Sequence, residues 1–407
     1  MDEDTLFARI CRLAGYSSFV ESVQAADANR YCKTFTTEML FKVLLAAQLQ
    51  GSASMRDIVQ MFEENVALQQ STGIQGVARS TLSDALARVD SDLFMGLFQR
   101  VSDSFSGRIR KKLRGDFKDV LRLLDSTTVT VPISEYPWAH YQRRQGGFKA
   151  HVAFESADGI GYPVQIVLTH GKVSDITAAK SYIQPKPDSI IVADRGYEDK
   201  HFFRQYAWCN QLFLIRAKRK THYFPIAETP TELRTGAIKD EIVVTRLGDC
   251  HNLFAKRFRR IVLPPFEGHK EPIILITNIF GRTAAEIGQM YRKRWEIETF
   301  FRFIKSQLNI TKIYGTTENA VRIQLIVAAI VAIVVAYLKF LNKAAHDGHL
   351  PPSQEDPIWY LRKLRYRLCQ HYDIIEALFL RDKHKKPHSP PPPLARPIQS
   401  ELPLFDT

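Results

Sequence analysis

The sequence predicts an α/β protein in which a helical N-terminal domain precedes a mixed core, and a β-rich insertion interrupts that core. The first 105 residues carry apolar side chains at helical spacing, whereas β-branched runs alternate with helical patterns after them. Between Lys218 and Phe280 the helical period disappears, and proline and glycine separate short apolar runs. With 407 residues, of which 45% are hydrophobic, the chain can form two or three domains with real cores.

The balance of charge favours a polyanionic partner. The formal net charge is +13 and the sequence pI is about 9.4, which favours nucleic acid first and an anionic membrane second. The five cysteines are scattered and form no Cys-x-x-Cys pair, so neither a disulfide framework nor a zinc ribbon is indicated, and a reducing cytoplasm is expected. The acidic start of the chain lacks the apolar stretch of a signal peptide.

Three helix starts are predicted in the N-terminal domain. Thr36 or Thr37 can cap the first, Ser54 with Asp57 resembles a capping box for the second, and Ser80 opens the third. Two short helices joined by a glycine-containing connection could form a helix-turn-helix, but the connection is longer than usual, so an ordinary helical bundle is favoured. A DNA-binding role is expected for the domain as a whole. A basic linker follows, with Arg108, Arg110, Lys111, Lys112 and Arg114.

The core is predicted from a change to β-branched, apolar runs after residue 119. Three such runs, with the Asp158–Gly159 turn between the second and the third, predict an antiparallel meander. A helix that starts near Ser174 or Asp175 and two further strands separated by a helix complete the order β-β-β-α-β-α-β, which is that of a ribonuclease-H-like fold. The predicted strands are Val120–Val131, Phe148–Glu155, Pro163–Thr169, Ile190–Ala193 and Leu212–Arg216, and the second helix is Asp199–Asn210.

The remaining segments are assigned by composition. Leu325–Leu338 is nearly all apolar but, at about 14 residues, is shorter than the roughly 20 that a membrane-spanning helix needs, so a buried core helix is predicted. A basic helical segment and a proline-rich, disordered tail end the chain. Strands are expected in the insertion at Glu241–Arg246, Lys256–Leu263 and Pro272–Ile276. The predicted domains are residues 1–105, 106–217, 218–280, 281–345, 346–382 and 383–407.

The segment Tyr291–Lys305 is central to the functional prediction. It contains neither glycine nor proline, and its apolar residues recur every three or four positions, which predicts one continuous helix. At about 100° per residue, Tyr291, Arg294, Glu298 and Lys305 then share a stripe roughly 60° wide beside a buried apolar face. Such a stripe suits an acid that holds a cation among bases that hold phosphates. For this helix alone, an ordinary solvated face with i,i+4 ion pairs would be favoured.

Two aspartates strengthen the functional interpretation. Asp125 interrupts a buried strand, where an unpaired carboxylate would be costly, and Asp194 closes an apolar strand at the edge where ligands bind in α/β sheets. With Glu298 they could hold two divalent cations about 4 Å apart, and oxygen ligands suit Mg²⁺ or Mn²⁺. Basic side chains would then hold a phosphodiester. Glu296 is a rival for Glu298, but its helix angle points away from the stripe.

Three motifs, in this order, resemble those of the DDE transposases of bacterial insertion sequences, specifically the insertion sequence 4 family. They are DSTTV at Asp125, ADRGY at Asp194, and the pattern Y-x2-R-x3-E-x6-K from Tyr291 to Lys305, which matches the spacing of that family at all four positions. The similarity extends from the N-terminus to about residue 345.

The resemblance implies a metal-dependent transposase with a ribonuclease-H-like core. The three acids would coordinate two Mg²⁺, for which Mn²⁺ could substitute, while Arg294 and Lys305 would contact phosphates at the transposon end, supported by Tyr291. A homodimer would hold double-stranded DNA at two terminal inverted repeats, cut it to free a 3′-OH, and join that end to target DNA. The protein would act in the bacterial cytoplasm, associated with the nucleoid and not with the membrane.

Relatives that form a DNA hairpin can use a tryptophan in the insertion to receive a flipped base. This chain has no tryptophan between Lys218 and Phe280, so the hairpin step stays open, and four aromatic residues are candidate substitutes, although core roles are favoured for each: Tyr223, Phe224, Phe254 and Phe258. Three alternative functions stay open as well: a ribonuclease-H-like DNA nuclease without strand transfer, a domesticated DNA-binding protein, and a membrane protein. The presence of all three acids disfavours the second of these.

Overall fold

The computed structural model describes residues 5–113, 119–142, 145–245, 257–266, 270–346 and 348–370. Within these ranges the chain forms a helical N-terminal region, one mixed β-sheet and a set of helices that complete the core. The α/β fold class predicted from the sequence is confirmed. The end of the predicted 346–382 segment, the whole 383–407 tail and Phe254 lie outside the described residues.

Side-chain caps explain where helices of the N-terminal region begin. Thr36 and Ser54 each accept a hydrogen bond from the backbone N–H three residues further on, at 3.3 and 3.2 Å, so these two predicted starts are confirmed. The start predicted at Ser80 is wrong, because that helix begins at Arg79 after Ala78, which has no side-chain oxygen. The helices are α1 Leu6–Leu13, α2 Tyr16–Ala25, α3 Thr37–Gln50, α4 Met55–Glu64, α5 Val66–Thr72, α6 Arg79–Arg88 and α7 Ser91–Leu113.

One mixed sheet contains the described strands, which are β1 Leu121–Val131, β2 His140–Gln142, β3 Gln145–Ala157, β4 Ile160–His170, β5 Ile190–Ala193, β6 Leu212–Arg216, β7 Phe224–Glu228, β8 Lys239–Val244, β9 Arg257–Leu263 and β10 Ile273–Thr277. Strand β1 pairs antiparallel with β3 and parallel with β5. Strand β4 pairs antiparallel with the other edge of β3, and β6 pairs parallel with the other edge of β5. Apart from the short β2 hairpin, the order β4-β3-β1-β5-β6 with these directions is ribonuclease-H-like.

The β-rich insertion extends this sheet instead of forming a separate layer. Strand β10 pairs antiparallel with β6, and β9, β8 and β7 follow outward, each antiparallel to its neighbour. A buried ion pair stabilises these strands, because Arg259 donates to both carboxylate oxygens of Asp240, at 2.9 and 2.5 Å. The guanidinium also donates to the carbonyls of Arg282 and Leu233, so the buried charge is paired and hydrogen-bonded.

Further helices precede and follow the insertion, and the longest of them forms much of the core. They are α8 Asp175–Tyr182, α9 Lys200–Trp208, α10 Ala284–Arg292, α11 Trp295–Ser306, α12 Glu318–Ala345, α13 Pro352–Glu355 and α14 Pro357–Arg367, with 3-10 turns at Arg195–Tyr197 and Thr231–Leu233. Helix α12 packs against α3, α7 and α14 and against strand β4, so it joins the N-terminal region to the sheet.

Helix α12 contains the apolar segment predicted at Leu325–Leu338, but it is much longer and spans 28 residues. Gln324 lies inside this helix, and its buried amide accepts from Tyr314 N at 2.9 Å and donates to the Lys312 carbonyl at 2.8 Å. By length and composition the helix could cross a membrane. However, 89% of its most apolar 18-residue window is buried inside the protein, as expected for a core helix.

A buried carboxylate on β3 ties α7 to the sheet. Glu155 is fully buried and accepts hydrogen bonds from the hydroxyls of Ser106 and Tyr162, at 3.1 and 3.0 Å. Burial acts to raise the pKa of Glu155, but the surrounding cations outweigh burial and lower this pKa below its ordinary value. These cations are Arg110 at 3.0 Å, Lys186 at 3.5 Å and Arg122 at 3.8 Å.

Replacing Glu155 with Gln should lower the free energy of unfolding by about 3–5 kcal/mol, because it removes the buried charge that three cations share and leaves the buried Arg122 without a carboxylate partner. The lowered pKa also makes this stabilisation depend on pH. It is present above the pKa of an unfolded glutamate, about 4.3, and is lost as the pH falls through the lower pKa of the folded state. Urea unfolding of the wild type should therefore show a loss of stability below about pH 4.3 that the variant shows less strongly.

The matched control for this experiment is Arg322→Gln, which removes an exposed i,i+4 pair with Glu318 at 3.3 Å. Since exposed pairs contribute little, this change should cost less than about 1 kcal/mol. A Glu155→Gln protein as stable as the control would show that the buried cluster does not stabilise the fold.

Candidate active site

The parallel pairing of β1 with β5 brings two of the predicted site residues together. In the register of these strands Leu124 lies opposite Ala193, so Asp125 and Asp194 are the next pair along, on chains about 4.8 Å apart. Asp194 caps the 3-10 turn that follows β5, and its Oδ1 accepts a hydrogen bond from Gly196 N at 2.7 Å. The pairing of β1 with β5 therefore ends beside both aspartates, although they are far apart in sequence. Asp194 follows β5, whereas Asp125 lies within β1, which continues to Val131.

The segment predicted as one continuous helix is two helices with a turn between them. Helix α10 ends before Lys293 and α11 begins after Arg294, so the prediction is wrong at these two residues. The backbone there forms i→i+3 hydrogen bonds, from Arg294 N to Tyr291 O at 3.0 Å and from Glu296 N to Lys293 O at 2.9 Å. Both turn residues keep right-handed helical backbone angles, so the apolar spacing continues and does not reveal the break.

Arg294 connects Asp125 to Glu298 from this turn. Its Nη2 donates to Glu298 Oε1 at 2.5 Å, and its Nη1 donates to Asp125 Oδ2 at 3.4 Å. Tyr291 is buried beside it. Burial acts to lower the pKa of Arg294, but Tyr291, Glu298 and Asp125 outweigh burial, so this pKa is raised. The guanidinium thus stays charged and holds together two carboxylates from β1 and α11.

The two ends of α11 lie near different parts of β1. Lys305 Nζ donates to the Thr128 carbonyl at 3.2 Å, and burial lowers the pKa of Lys305. Glu296 instead accepts a hydrogen bond from Ser156 Oγ at 2.5 Å, and Ser156 is paired with Leu121 at the beginning of β1. Glu296 therefore lies near the beginning of β1, whereas Lys305 lies near Thr128 in its second half.

The negative charge of the site is only partly compensated. Burial raises the pKa of Asp125 to about 6. The Ser126 N–H, which donates to Asp125 Oδ1 at 2.8 Å, and Arg294 oppose this shift, whereas Asp194 and Asp175 add to it. Because buried carboxylates that repel one another are stabilised by positive charge, the site favours a cation.

Asp175 belongs to this cluster, although the sequence indicated it only as the start of a helix. Its Oδ1 accepts a hydrogen bond from Ser126 Oγ at 2.6 Å and lies 3.3 Å from Lys149 Nζ. The buried ring of His151 lies close to the same oxygen, with Nδ1 at 3.6 Å. Burial lowers the pKa of His151 to about 4. The local sequence shows an acid shortly after a strand, but its neighbours come from β1 and β3 and meet it only in the folded sheet.

The donor set suits a hard divalent cation. Within the described ranges, no three His, Cys, Asp or Glu side chains already form a group that could hold a metal ion. Carboxylate oxygens are nevertheless the ligands that Mg²⁺ and Mn²⁺ prefer, and Arg294 already places one positive charge between Asp125 and Glu298. The residues therefore fit a divalent cation by their chemistry.

The strand order, with two aspartates side by side where two parallel strands cease to pair, defines a ribonuclease-H-like protein. A family described as a transposase DDE domain matches residues 116–334, and a domain of unknown function matches residues 2–75. The chain belongs to the DDE transposase family. It is a DNA transposase, and the family cleaves DNA, transfers strands and uses divalent metal ions.

Individual relatives agree with this assignment. The chain is 30% identical over 325 residues to the probable transposase for insertion sequence element IS5377 of Geobacillus stearothermophilus, covering 78% of this chain and 80% of that protein. It is 26% identical over 307 residues to the putative transposase for insertion sequence element IS4SA of Synechocystis sp., covering 74% and 82%. A piggyBac transposase in a synaptic complex with hairpin DNA matches 93% of this chain and 80% of that chain at 9% identity, but the TM-score of 0.43 supports no inference. The narrower resemblance to the insertion sequence 4 family stays a prediction.

Gly196 leaves no room for a side chain beside Asp194, since an added Cβ would lie 2.9 Å from Asp194 Oδ1. We expect Gly196→Ala to displace this carboxylate and to slow DNA strand cleavage by roughly 10- to 100-fold, the effect of a misplacement near 1 Å. The control is Gly281→Ala, where an added Cβ meets nothing within 4 Å. A gel assay should show cleavage at the wild-type rate for the control. The same rate for Gly196→Ala would argue against a role for Asp194.

Proposed function

We propose that Asp125, Asp194 and Glu298 form the catalytic and metal-binding triad of this transposase. The observation that carries the proposal is the position of Arg294, which contacts Asp125 and Glu298 at once. Acids from β1 and α11 therefore lie close enough to share one cation. The strand register supports the addition of Asp194, which is next to Asp125 across the β1–β5 pair. Two Mg²⁺, or Mn²⁺ in their place, are the proposed cofactors.

The chemistry divides between the cations and the basic side chains. Bound cations would activate a water or a 3′-hydroxyl and stabilise the leaving 3′ oxygen. Arg294 is charged and pairs with two acids, so cations that took over these acids would free its N–H groups to hold a phosphate. Lys305 donates to a backbone carbonyl and supplies a second phosphate contact. Tyr291, buried against Arg294, limits the movement of the guanidinium.

Strand cleavage tests the triad. Purified protein is mixed with a labelled duplex that carries the element's own end, in Mg²⁺ or in EDTA. We expect a nick that leaves a 3′-OH in Mg²⁺ and no product in EDTA. Glu298→Gln should abolish the product, because it removes a carboxylate ligand while keeping the shape of the side chain. If Glu298→Gln cuts as well as the wild type, Glu298 is not the third acid.

Glu296→Gln is the matched control. It makes the same chemical change two positions earlier on the same helix, and the amide oxygen can still accept from Ser156. This variant should therefore cut at the wild-type rate. A loss of activity in both variants would point to a general effect on α11 instead of a lost ligand.

The same gel shows whether a hairpin forms, and the structure narrows the aromatic residues that could receive a base. Phe258 is fully buried, and the Tyr223 hydroxyl donates to Glu198, so both have core or framework roles. Phe224 is 38% exposed on β7 and is the remaining candidate among the described residues. We propose that any base flipping uses Phe224, in which case Phe224→Ala would reduce the hairpin product and leave the first nick intact.

A basic groove supports DNA binding by the N-terminal region. The groove has a volume of about 230 Å³ between α1, α7 and α12, and Arg12, Arg100 and Arg108 line it. Arg100 donates to two serine hydroxyls and Arg108 to the hydroxyl of Tyr337 at 2.6 Å, and no acid is among the described residues that line the groove. Guanidinium groups that are held by hydroxyls keep their charge for phosphates. We propose that this groove contacts the DNA backbone.

Arg100→Gln and Arg108→Gln should each weaken DNA binding equally for specific and unrelated sequences, because phosphate contacts carry no base information. Each should also reduce the slope of log affinity against log salt by about 1, which fluorescence anisotropy at several salt concentrations measures. Arg322→Gln, which loses an arginine already paired with Glu318, is the control and should keep the slope. Unchanged slopes in both groove variants would exclude the groove from the interface.

The assembly that we propose is a homodimer holding two terminal inverted repeats, in the cytoplasm and associated with the nucleoid. This part of the proposal rests on the motifs from Asp125 to Lys305 that resemble the insertion sequence 4 family. Sedimentation of the protein with short duplexes of its own end tests it. A complex with two chains and two duplexes supports the dimer, and a complex with one of each contradicts it.

A further inference from the structure

Asp175 lies where three elements meet. It is the first residue of α8, and its Oδ1 accepts from Ser126 Oγ of β1 at 2.6 Å and lies 3.3 Å from Lys149 Nζ of β3. Its Oδ2 has no hydrogen-bond partner among the described residues. A Cβ added at Gly196 would lie 3.7 Å from this oxygen and 2.9 Å from Asp194 Oδ1. The unpartnered oxygen of Asp175 therefore lies near the carboxylate of Asp194.

Ser126 links Asp175 to Asp125. The backbone N–H of Ser126 donates to Asp125 Oδ1 at 2.8 Å, while its hydroxyl donates to Asp175 Oδ1. One residue therefore contacts both carboxylates through different atoms. Outer residues that hydrogen-bond in this way orient the groups that bind a cation, and their loss is felt in cation affinity.

His151 gives a second and independent indication that this cluster is built to act on a ligand. The residue is 1% exposed, and its Nε2 forms a hydrogen bond with Thr169 Oγ1 at 2.9 Å. Its Nδ1 is buried, has no hydrogen-bond partner and lies 3.6 Å from Asp175 Oδ1. Buried polar groups are normally satisfied. A buried ring nitrogen without a hydrogen-bond partner therefore lies next to the carboxylate of Asp175.

We propose that Asp175 is a positioning residue of the carboxylate centre. Through Ser126 it holds the part of β1 that carries Asp125, and its carboxylate adds a fourth negative charge near Asp194 that strengthens cation binding. This inference rests on the proposed triad. It gives Asp175 no contact with the reacting phosphate.

Two variants separate the charge of Asp175 from its link to Ser126. Asp175→Asn keeps an oxygen that accepts from Ser126 but removes the charge, so calorimetry should show Mn²⁺ binding about 10- to 100-fold weaker than in the wild type. The Mn²⁺ concentration that gives half-maximal DNA cleavage should rise by a similar factor. Ser126→Ala keeps the charge but removes the link, so cleavage at saturating Mn²⁺ should fall about 10-fold, and Ser126→Thr should restore it.

The controls distinguish this inference from the triad itself. Asp92→Asn removes an exposed acid from the first turn of α7, and should leave Mn²⁺ affinity unchanged. Wild-type affinity in Asp175→Asn would overturn the role of the Asp175 charge, and a wild-type cleavage rate in Ser126→Ala would overturn the role of its link to Ser126. The Mn²⁺ affinity of Glu298→Gln is measured in the same series. Wild-type affinity in Glu298→Gln would overturn the triad. Weaker binding in Glu298→Gln, together with wild-type affinity in Asp175→Asn, would overturn only the present inference.

Discussion

The parallel pairing of β1 with β5 is the constraint on which the site depends. Parallel neighbours cannot be joined by a tight turn, so the chain passes through β3, β4 and α8 before β5 returns beside β1. This crossover brings Asp175 to the site as well as Asp194, because α8 is part of it. A slip of one residue would turn Asp194 to the opposite face of the sheet from Asp125. All four residues of β5 are buried, so the core holds the register.

That register places the carboxylates of Asp125 and Asp194 side by side, where they repel each other. Arg294 offsets this repulsion. Burial and the neighbouring acids raise the pKa of Asp125 to about 6, while the guanidinium contacts both Asp125 and Glu298. The turn between α10 and α11 matters here, because it carries this guanidinium to the acids.

The rest of the fold supports β1 from several sides. Helix α12 joins the N-terminal helices to the sheet, and the buried Glu155 cluster ties α7 to β1 and β3 through Arg110 and Arg122. The insertion extends the sheet beyond β6 with strands β10, β9, β8 and β7, and the buried ion pair of Arg259 and Asp240 stabilises these strands. A rigid sheet is useful here, because a site made from three elements loses activity with small displacements.

Much of this protein was predictable from local patterns in its sequence. The period of apolar residues located β1, β3, β4, β5 and β6, and capping residues such as Thr36 and Ser54 located helix starts, because these features depend on neighbours a few positions away. The same patterns selected Asp125, Asp194 and Glu298, and their motifs indicated the transposase family to which the chain belongs. Only the tertiary structure decided the turn at Lys293 and Arg294, the ion pairs of Arg294 and the position of Asp175 beside the other acids. Each of these features depends on contacts between distant segments.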